Sequence, residues 1–152
     1  MEKLISSRNT KFKKYEKDRN TNIKVASNAI DGVVLDIGEE FSFNDVLGER
    51  TKGKGYKEAH SIDNKKIVTS VGGGICQVST TLNMAVKDAD LKINEVHIHS
   101  IPIDYAKRED EAAVSWGEKD YRFTNDKFRK IKINSNFDEE NGILTINLYE
   151  IL

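Results

Sequence analysis

Hydrophobic residues recur with helical spacing in two stretches of the chain. From Ile75, apolar residues follow at intervals of three, four and seven positions, which indicates an amphipathic helix from about Cys76 to Asp88. A shorter helical face follows Asn20 or Thr21, and Gly32 suits the cap at its C-terminal end. The pattern therefore predicts two short helices, one near the N-terminus and one in the middle of the chain.

The remaining hydrophobic positions alternate with polar ones or form short runs, as expected of strands. Asn141-Gly142 is a strong hairpin signal, and Asp63-Asn64 joins two further runs. Strands are predicted at residues 33–35, 41–44, 56–61, 65–71, 91–101, 112–116, 120–125, around 131–133 and around 144–148. The predicted fold class is α+β, a mostly antiparallel sheet with one helix after a Gly-Gly-Gly turn and one further short N-terminal helix.

The first 18 residues lack this regularity and are basic and polar, with lysines at positions 11, 13, 14 and 17. They are predicted to be an exposed lead-in segment. Residues 19–152 are predicted to form a single domain. A length of 152 residues is enough for one domain with an adequate core.

Composition and charge restrict the classes of function. The net charge of −1 gives no indication of a nucleic-acid partner, and no apolar run is long enough to span a bilayer. The start of the chain does not have the pattern of a secretory signal. A single cysteine excludes an internal disulfide and a Cys-rich zinc site. We expect a monomer that needs no cofactor.

That cysteine, Cys76, follows Gly72-Gly73-Gly74 and lies at the start of the predicted helix. Glycines allow close backbone approach, and the positive end of a helix dipole favours a thiolate. Both features suit a nucleophile beside an oxyanion pocket. A buried, unreactive cysteine after a tight turn explains this stretch equally well.

Two histidines are candidate bases for Cys76. Alternation along the strand predicted at residues 91–101 places His97 and His99 on one face. An imidazole would stabilise the thiolate and later protonate a leaving amine. The candidate oxyanion donors are the backbone N–H groups of Gly73, Gly74, Ile75 and Cys76. Two other readings stay open: Cys76, His97 and His99 as three zinc ligands of a hydrolase, and a binding module without chemistry.

Several blocks of the sequence together resemble the VanW-like domain family over nearly the whole length from Arg19. The blocks are Arg19-Asn20-Thr21-Asn22-Ile23, Gly38-Glu39-Glu40-Phe41-Ser42-Phe43-Asn44, Gly55-Tyr56, the run from Gly72 to Leu82, His97-Ile98-His99-Ser100, and Trp116-Gly117 with Asp120, Phe123 and Asn125. The block around Cys76 is highly specific, and it occurs together with the His-Ser pair.

The resemblance implies a peptidoglycan L,D-transpeptidase, since some bacterial cell-surface members of the family have this activity with the domain's cysteine as nucleophile. Cys76 would attack the carbonyl of the third residue of a tetrapeptide stem, release D-alanine, and transfer the acyl group to another stem as a 3-3 cross-link. The resemblance also implies an extracytoplasmic location at the cell wall or cell surface. His99 is the favoured base because it adjoins the matched Ser100, and His97 is the second candidate. The residues expected to line the cleft and bind substrate are Gln77, Ser79, Thr80, Ser100 and Trp116.

The sequence departs from the family pattern at a few positions. Val96 stands where the family often has Arg, and Ile37 where it often has Pro. Glu111-Ala112 occupies the place of an Asp-Ala pair. If that acid orients the base, Glu111 would have to do so with a longer side chain.

Overall fold

A four-stranded antiparallel sheet is the largest layer of the fold in the computed structural model, which describes all 152 residues. Its strands are β1 (Glu2–Lys11), β2 (Val34–Leu35), β8 (Ile131–Asp138) and β9 (Ile143–Ile151), in the order β1-β9-β8-β2. The predicted hairpin at Asn141-Gly142 joins β8 to β9 and is confirmed. Gly142 has a φ of 68°, which favours glycine.

Three helices are present, one more than the sequence predicts. They are α1 (Lys17–Ile30), α2 (Phe43–Leu47) and α3 (Cys76–Asp88). The bounds of α3 are as predicted, and α1 begins at Lys17, before the predicted cap. The additional helix, α2, replaces the end of the strand predicted at residues 41–44, because the Ser42 hydroxyl accepts a hydrogen bond from the backbone N–H of Asp45 and caps it. None of the helices combines the length and the apolar character needed to cross a membrane.

Strand β1 lies where the sequence predicts an exposed lead-in segment. It pairs with β9 from Glu2 to Lys11. Its inward positions include polar residues: Ser6 Oγ donates to the Ala85 carbonyl at 2.8 Å, and Thr10 Oγ1 lies 2.8 Å from Thr81 Oγ1. Buried hydroxyls thus attach β1 to α3 in place of apolar contacts, so the hydrophobic pattern does not reveal this strand.

A second antiparallel sheet and a hairpin complete the fold. The sheet has the order β3-β7-β6, from β3 (Glu40–Ser42), β7 (Arg122–Thr124) and β6 (Lys92–Glu95). The hairpin of β4 (Glu58–Asp63) and β5 (Lys66–Val71) has the predicted turn and leads the chain into the three glycines. The strands β7, β8, β9, β4 and β5 all fall within or overlap predicted runs.

Two predicted strands are wrong in extent or absent. The strand predicted at residues 91–101 is β6, which ends at Glu95, and residues 112–116 form no strand beyond one isolated bridge between Ser115 and Lys119. Side chains and N–H groups in this region are bonded to α3 and to each other. Long-range hydrogen bonds therefore determine the path of residues 112–114, and Val114 of this segment contacts Cys76.

The core lies between the sheets and the two longer helices. Residues 77–86 of α3 are all buried, and α1 buries Ile23 and Ile30. Each fully buried aliphatic side chain contributes about 1.5–3 kcal/mol. The start of α3 is consequently held firmly in place, although Cys76 itself is only half-buried.

Candidate active site

The three glycines form a tight turn between β5 and α3. Gly72 and Gly74 have φ values of 93° and 101°, which favour glycine. At Gly73 there is no room for a side chain, because an added Cβ would lie 2.3 Å from the Ala59 carbonyl oxygen. The buried amide of Asn22 donates to the Gly73 carbonyl at 2.8 Å. The turn is therefore fixed, and it presents Cys76 in the first turn of α3.

Cys76 opens onto a cleft of about 860 Å³ that is also lined by His99. Its Sγ lies 3.4 Å from both the backbone N and the carbonyl oxygen of Val114. The N–H can donate to a thiolate, and the carbonyl can accept from a thiol. Val114 thus contacts the sulfur in either protonation state.

His99 is buried and is held by the equally buried Glu111. Glu111 Oε1 lies 2.8 Å from His99 Nδ1 and also accepts from the backbone N–H of His99 at 2.8 Å. The other carboxylate oxygen, Oε2, is 3.8 Å from the Arg108 guanidinium. Nδ1 of His99 is thus committed to Glu111, and Nε2 is the ring nitrogen that remains for chemistry in the cleft that His99 shares with Cys76.

The electrostatics of Cys76 and His99 favour charge separation between them. Burial raises the pKa of the Cys76 thiol, but the hydrogen bond and charge of His99, the Val114 N–H and the charge of Arg50 together bring that pKa below its ordinary value. Burial lowers the pKa of His99, but hydrogen bonds and charges from Cys76 and Glu111 bring it above its ordinary value. Both shifts favour a thiolate beside an imidazolium.

Two backbone N–H groups near the sulfur have no acceptor within the chain. The N–H of Gly73 donates to Ser70 and that of Ile75 to Gly72, at 3.2 and 3.3 Å. Neither Gly74 nor Cys76 makes such a bond. Of the four predicted oxyanion donors, Gly74 and Cys76 are thus the ones free to donate, and Gly73 and Ile75 are used within the turn.

His97 does not join this group. Its Nε2 lies 2.8 Å from Glu95 Oε2, and it does not line the cleft. The prediction that His97 and His99 share a strand face is wrong because β6 ends at Glu95. The predicted triple of Cys76, His97 and His99 is accordingly not assembled, and no group of His, Cys, Asp or Glu side chains is arranged to hold a metal ion.

The five predicted substrate-binding residues divide into two sets. Ser100 and Trp116 line the cleft. The side chains of Gln77, Ser79 and Thr80 are buried and do not reach it.

Ser79 and Thr80 hold the segment that carries Glu111. Ser79 Oγ donates to the Ala112 carbonyl at 2.6 Å, and Thr80 Oγ1 accepts from the Ala112 N–H at 3.1 Å. Gln77 lies on the other side of α3, where its Nε2 donates to Thr10 and its Oε1 accepts from Arg19 at 2.8 Å. The arrangement indicates a supporting role for these three residues.

The cleft is also lined by residues that the sequence did not predict as site residues, among them Arg19, Arg50 and Tyr105. The Arg19 guanidinium lies 5.6 Å from the centre of the Tyr105 ring, and the Arg50 guanidinium 5.9 Å from that of Trp116. Arg19 begins the first block that carries the family resemblance, which is the one available signal for it. Arg50 and Tyr105 lie in irregular segments whose periodicity predicts nothing about contacts.

Comparison with known proteins agrees with the resemblance. A family model described as "VanW like protein" matches residues 18–149. The chain is 41% identical over 140 residues to "Uncharacterized protein YoaR" of Bacillus subtilis, covering 92% of this chain and 46% of that protein. It is 29% identical over 117 residues to "Vancomycin B-type resistance protein VanW" of Enterococcus faecalis, covering 74% of this chain and 42% of that protein. The chain therefore spans less than half the length of these curated relatives. No solved structure matches it.

Proposed function

The chain belongs to the VanW-like protein family, and from the arrangement of its cleft we propose that it is a cysteine acyltransferase of peptidoglycan, an L,D-transpeptidase. The observation that carries the proposal is that Cys76 and His99 both line an open cleft, with the buried Glu111 held against Nδ1 of His99. A nucleophile, a base and a group that orients the base are what acyl transfer through a covalent intermediate requires.

In the first half-reaction, the Cys76 thiolate attacks the carbonyl carbon of the third residue of a tetrapeptide stem. A carbon–sulfur bond forms, and the carbonyl oxygen takes up the negative charge. The free N–H groups of Gly74 and Cys76 are the donors available to this oxygen. The imidazolium of His99 protonates the departing amine as the carbon–nitrogen bond breaks. D-alanine leaves, and a thioester remains on Cys76.

In the second half-reaction, the side-chain amine of another stem attacks the thioester. His99 accepts the proton of that amine, the carbon–sulfur bond breaks, and Cys76 returns to the thiolate. The product is a 3-3 cross-link. Throughout, Glu111 holds Nδ1 of His99, so that the proton is exchanged at Nε2.

The choice of peptidoglycan as substrate rests on family membership, because the cleft chemistry alone suits many acyl donors. The relative named as a vancomycin B-type resistance protein supports a role in the cell wall. An extracytoplasmic location and an action as a monomer on stem peptides belong to the same proposal. The chain spans less than half the length of its curated relatives. The activity of a longer protein that contains this domain is therefore part of the same proposal.

The decisive experiment combines the wild-type chain, Cys76→Ala and purified disaccharide-tetrapeptide muropeptides. We expect the wild-type chain to form 3-3 cross-linked dimers and release D-alanine, and Cys76→Ala to form none. Mass spectrometry after incubation with a carbapenem should show an adduct on Cys76 in the wild-type chain alone. Cross-linking that persists in Cys76→Ala, with an unchanged thermal melt, would refute the proposal. A chain that binds stems but never forms an acyl-enzyme would instead be a binding module.

A further inference from the structure

Arg50 presents a guanidinium to the same cleft as Cys76, beside the exposed ring of Trp116. Its Nη1 donates to the Gly48 carbonyl at 2.8 Å, and its Nη2 donates to Asn44 Oδ1 at 2.6 Å. The group lies 5.9 Å from the centre of the Trp116 ring. Two hydrogen bonds and the ring thus fix the guanidinium in one orientation, while its other N–H groups have no acceptor in the chain.

This half-buried cation has no carboxylate partner. Ion pairs within 4.0 Å occur at eleven places in the molecule, and none includes Arg50. Asp120 is near enough to affect it, but its oxygens accept from Ser42 and from the backbone N–H groups of Asn44 and Tyr121. Charged side chains removed from water are ordinarily paired. The missing partner is therefore expected from outside the chain.

The position of Arg50 indicates what that partner is. Arg50 and Cys76 line the same cleft, and the Arg50 side chain lies against the glycine turn before Cys76, since a Cβ added to Gly72 would lie 2.9 Å from Arg50 Cγ. Consecutive Cα atoms of a peptide lie about 3.8 Å apart. If a peptide ends one residue beyond the attacked carbonyl, its terminal carboxylate therefore lies only about one residue length from the carbon that Cys76 attacks.

We propose that Arg50 binds the free C-terminal carboxylate of the residue that the substrate loses. The inference rests on the proposed function, because it takes the bond next to the terminal residue as the one that Cys76 attacks. It adds a specificity determinant: Arg50 selects donors with exactly one residue after the attacked carbonyl. A donor with two residues after the attacked carbonyl would place the peptide bond between those two residues at Arg50. The terminal carboxylate of that donor would lie beyond the guanidinium.

The test uses two tetrapeptides that end in D-alanine, one as the free acid and one as the C-terminal amide. Their binding is measured by calorimetry on Cys76→Ala, which cannot react, and on Cys76→Ala combined with Arg50→Gln or Arg50→Lys. Arg8→Gln in the same background is the matched control, because Arg8 pairs with Asp88 at the opposite end of α3 from Cys76.

In Cys76→Ala we expect the acid to bind about 10- to 100-fold more tightly than the amide, as charge-assisted hydrogen bonds predict. Arg50→Gln should remove the preference, Arg50→Lys should keep part of it, and Arg8→Gln should keep all of it. If Cys76→Ala, with Arg50 intact, binds the acid and the amide equally well, the inference is overturned. It is also overturned if the preference for the acid survives in the variant that carries Arg50→Gln. A wild-type chain that cleaves neither peptide would refute the proposed function, while the binding preference would still decide the role of Arg50.

Discussion

Glu111 holds His99 at two points, since its Oε1 lies 2.8 Å from both the ring Nδ1 and the backbone N of that histidine. Both side chains are buried, so the contact is shielded from water. The contact with the backbone N–H fixes the main chain at His99, and the contact with Nδ1 fixes the orientation of its ring. Glu111 stands where the family pattern has the shorter aspartate. Its carboxylate still reaches both the ring and the backbone of His99, so it can orient the histidine.

The first prediction concerns the charge of Glu111. Glu111→Gln keeps an oxygen that accepts from His99 but removes the negative charge that stabilises the imidazolium. We expect kcat to fall by about 10²–10⁴-fold and the NMR titration of His99 to shift to lower pH. The neighbouring Glu109→Gln is the control, because that side chain is exposed. An unchanged kcat in Glu111→Gln would show that His99 needs no orienting acid.

The second prediction is the pH dependence of thiol reactivity. The Cys76 pKa lies below its ordinary value of 9.0, so alkylation by iodoacetamide should reach half of its maximal rate below that pH. In His99→Gln the hydrogen bond and charge that lower this pKa are lost, while burial, which raises it, remains. The midpoint should therefore move upward. Stopped-flow alkylation between pH 5 and 10 measures it, and superimposable profiles for the two proteins would contradict a thiolate–imidazolium pair.

Much of the fold could be predicted because it follows local patterns. The stripe from Ile75 gave α3 its bounds, and Asn141-Gly142 located a hairpin. Strand β1 could not be predicted in this way, because its buried positions include Ser6 and Thr10. Their partners are a carbonyl and a hydroxyl of α3, more than seventy positions away.

The site could be predicted only in part, because its side chains are also brought together by contacts between residues that are distant in the sequence. Cys76 and His99 stand out by residue type and by the resemblance, but their meeting depends on residues 96–114, which have no regular strand beyond β6. That segment is shaped by bonds such as those from Ser79 to Ala112 and from Glu111 to His99. Strand alternation therefore paired His97 with His99, whereas the folded chain pairs His97 with Glu95.

The third prediction tests the support that α3 gives to this segment. Thr80→Val keeps the side-chain volume but leaves the buried N–H of Ala112 without its acceptor. We expect the free energy of unfolding to fall by about 1–3 kcal/mol and kcat to fall because Glu111 adjoins Ala112. Urea denaturation and peptide turnover give the two quantities. Thr69→Val, on an exposed strand position, should change neither, and equal effects at both positions would remove Thr80 from this role.

The fourth prediction concerns the central glycine of the turn before Cys76. An alanine Cβ at Gly73 would lie 2.3 Å from the Ala59 carbonyl oxygen and 2.6 Å from that of His60, both of them backbone atoms that cannot rotate away. Either β4 must move or the turn must open, so we expect Gly73→Ala to lower the free energy of unfolding by about 1–3 kcal/mol or more. Because the turn positions the free N–H groups of Gly74 and Cys76, thioester formation should slow by more than the loss of folded protein explains.

Gly53→Ala provides the matched comparison, because its added Cβ would meet nothing closer than 3.9 Å and its backbone is not in the left-handed region. It should melt and react like the wild-type chain. Single-turnover acylation, normalised to the folded fraction from circular dichroism, separates the effect on chemistry from the effect on stability. If Gly73→Ala acylates at the wild-type rate per folded molecule, the turn serves only packing, and the oxyanion donors must lie elsewhere in the cleft.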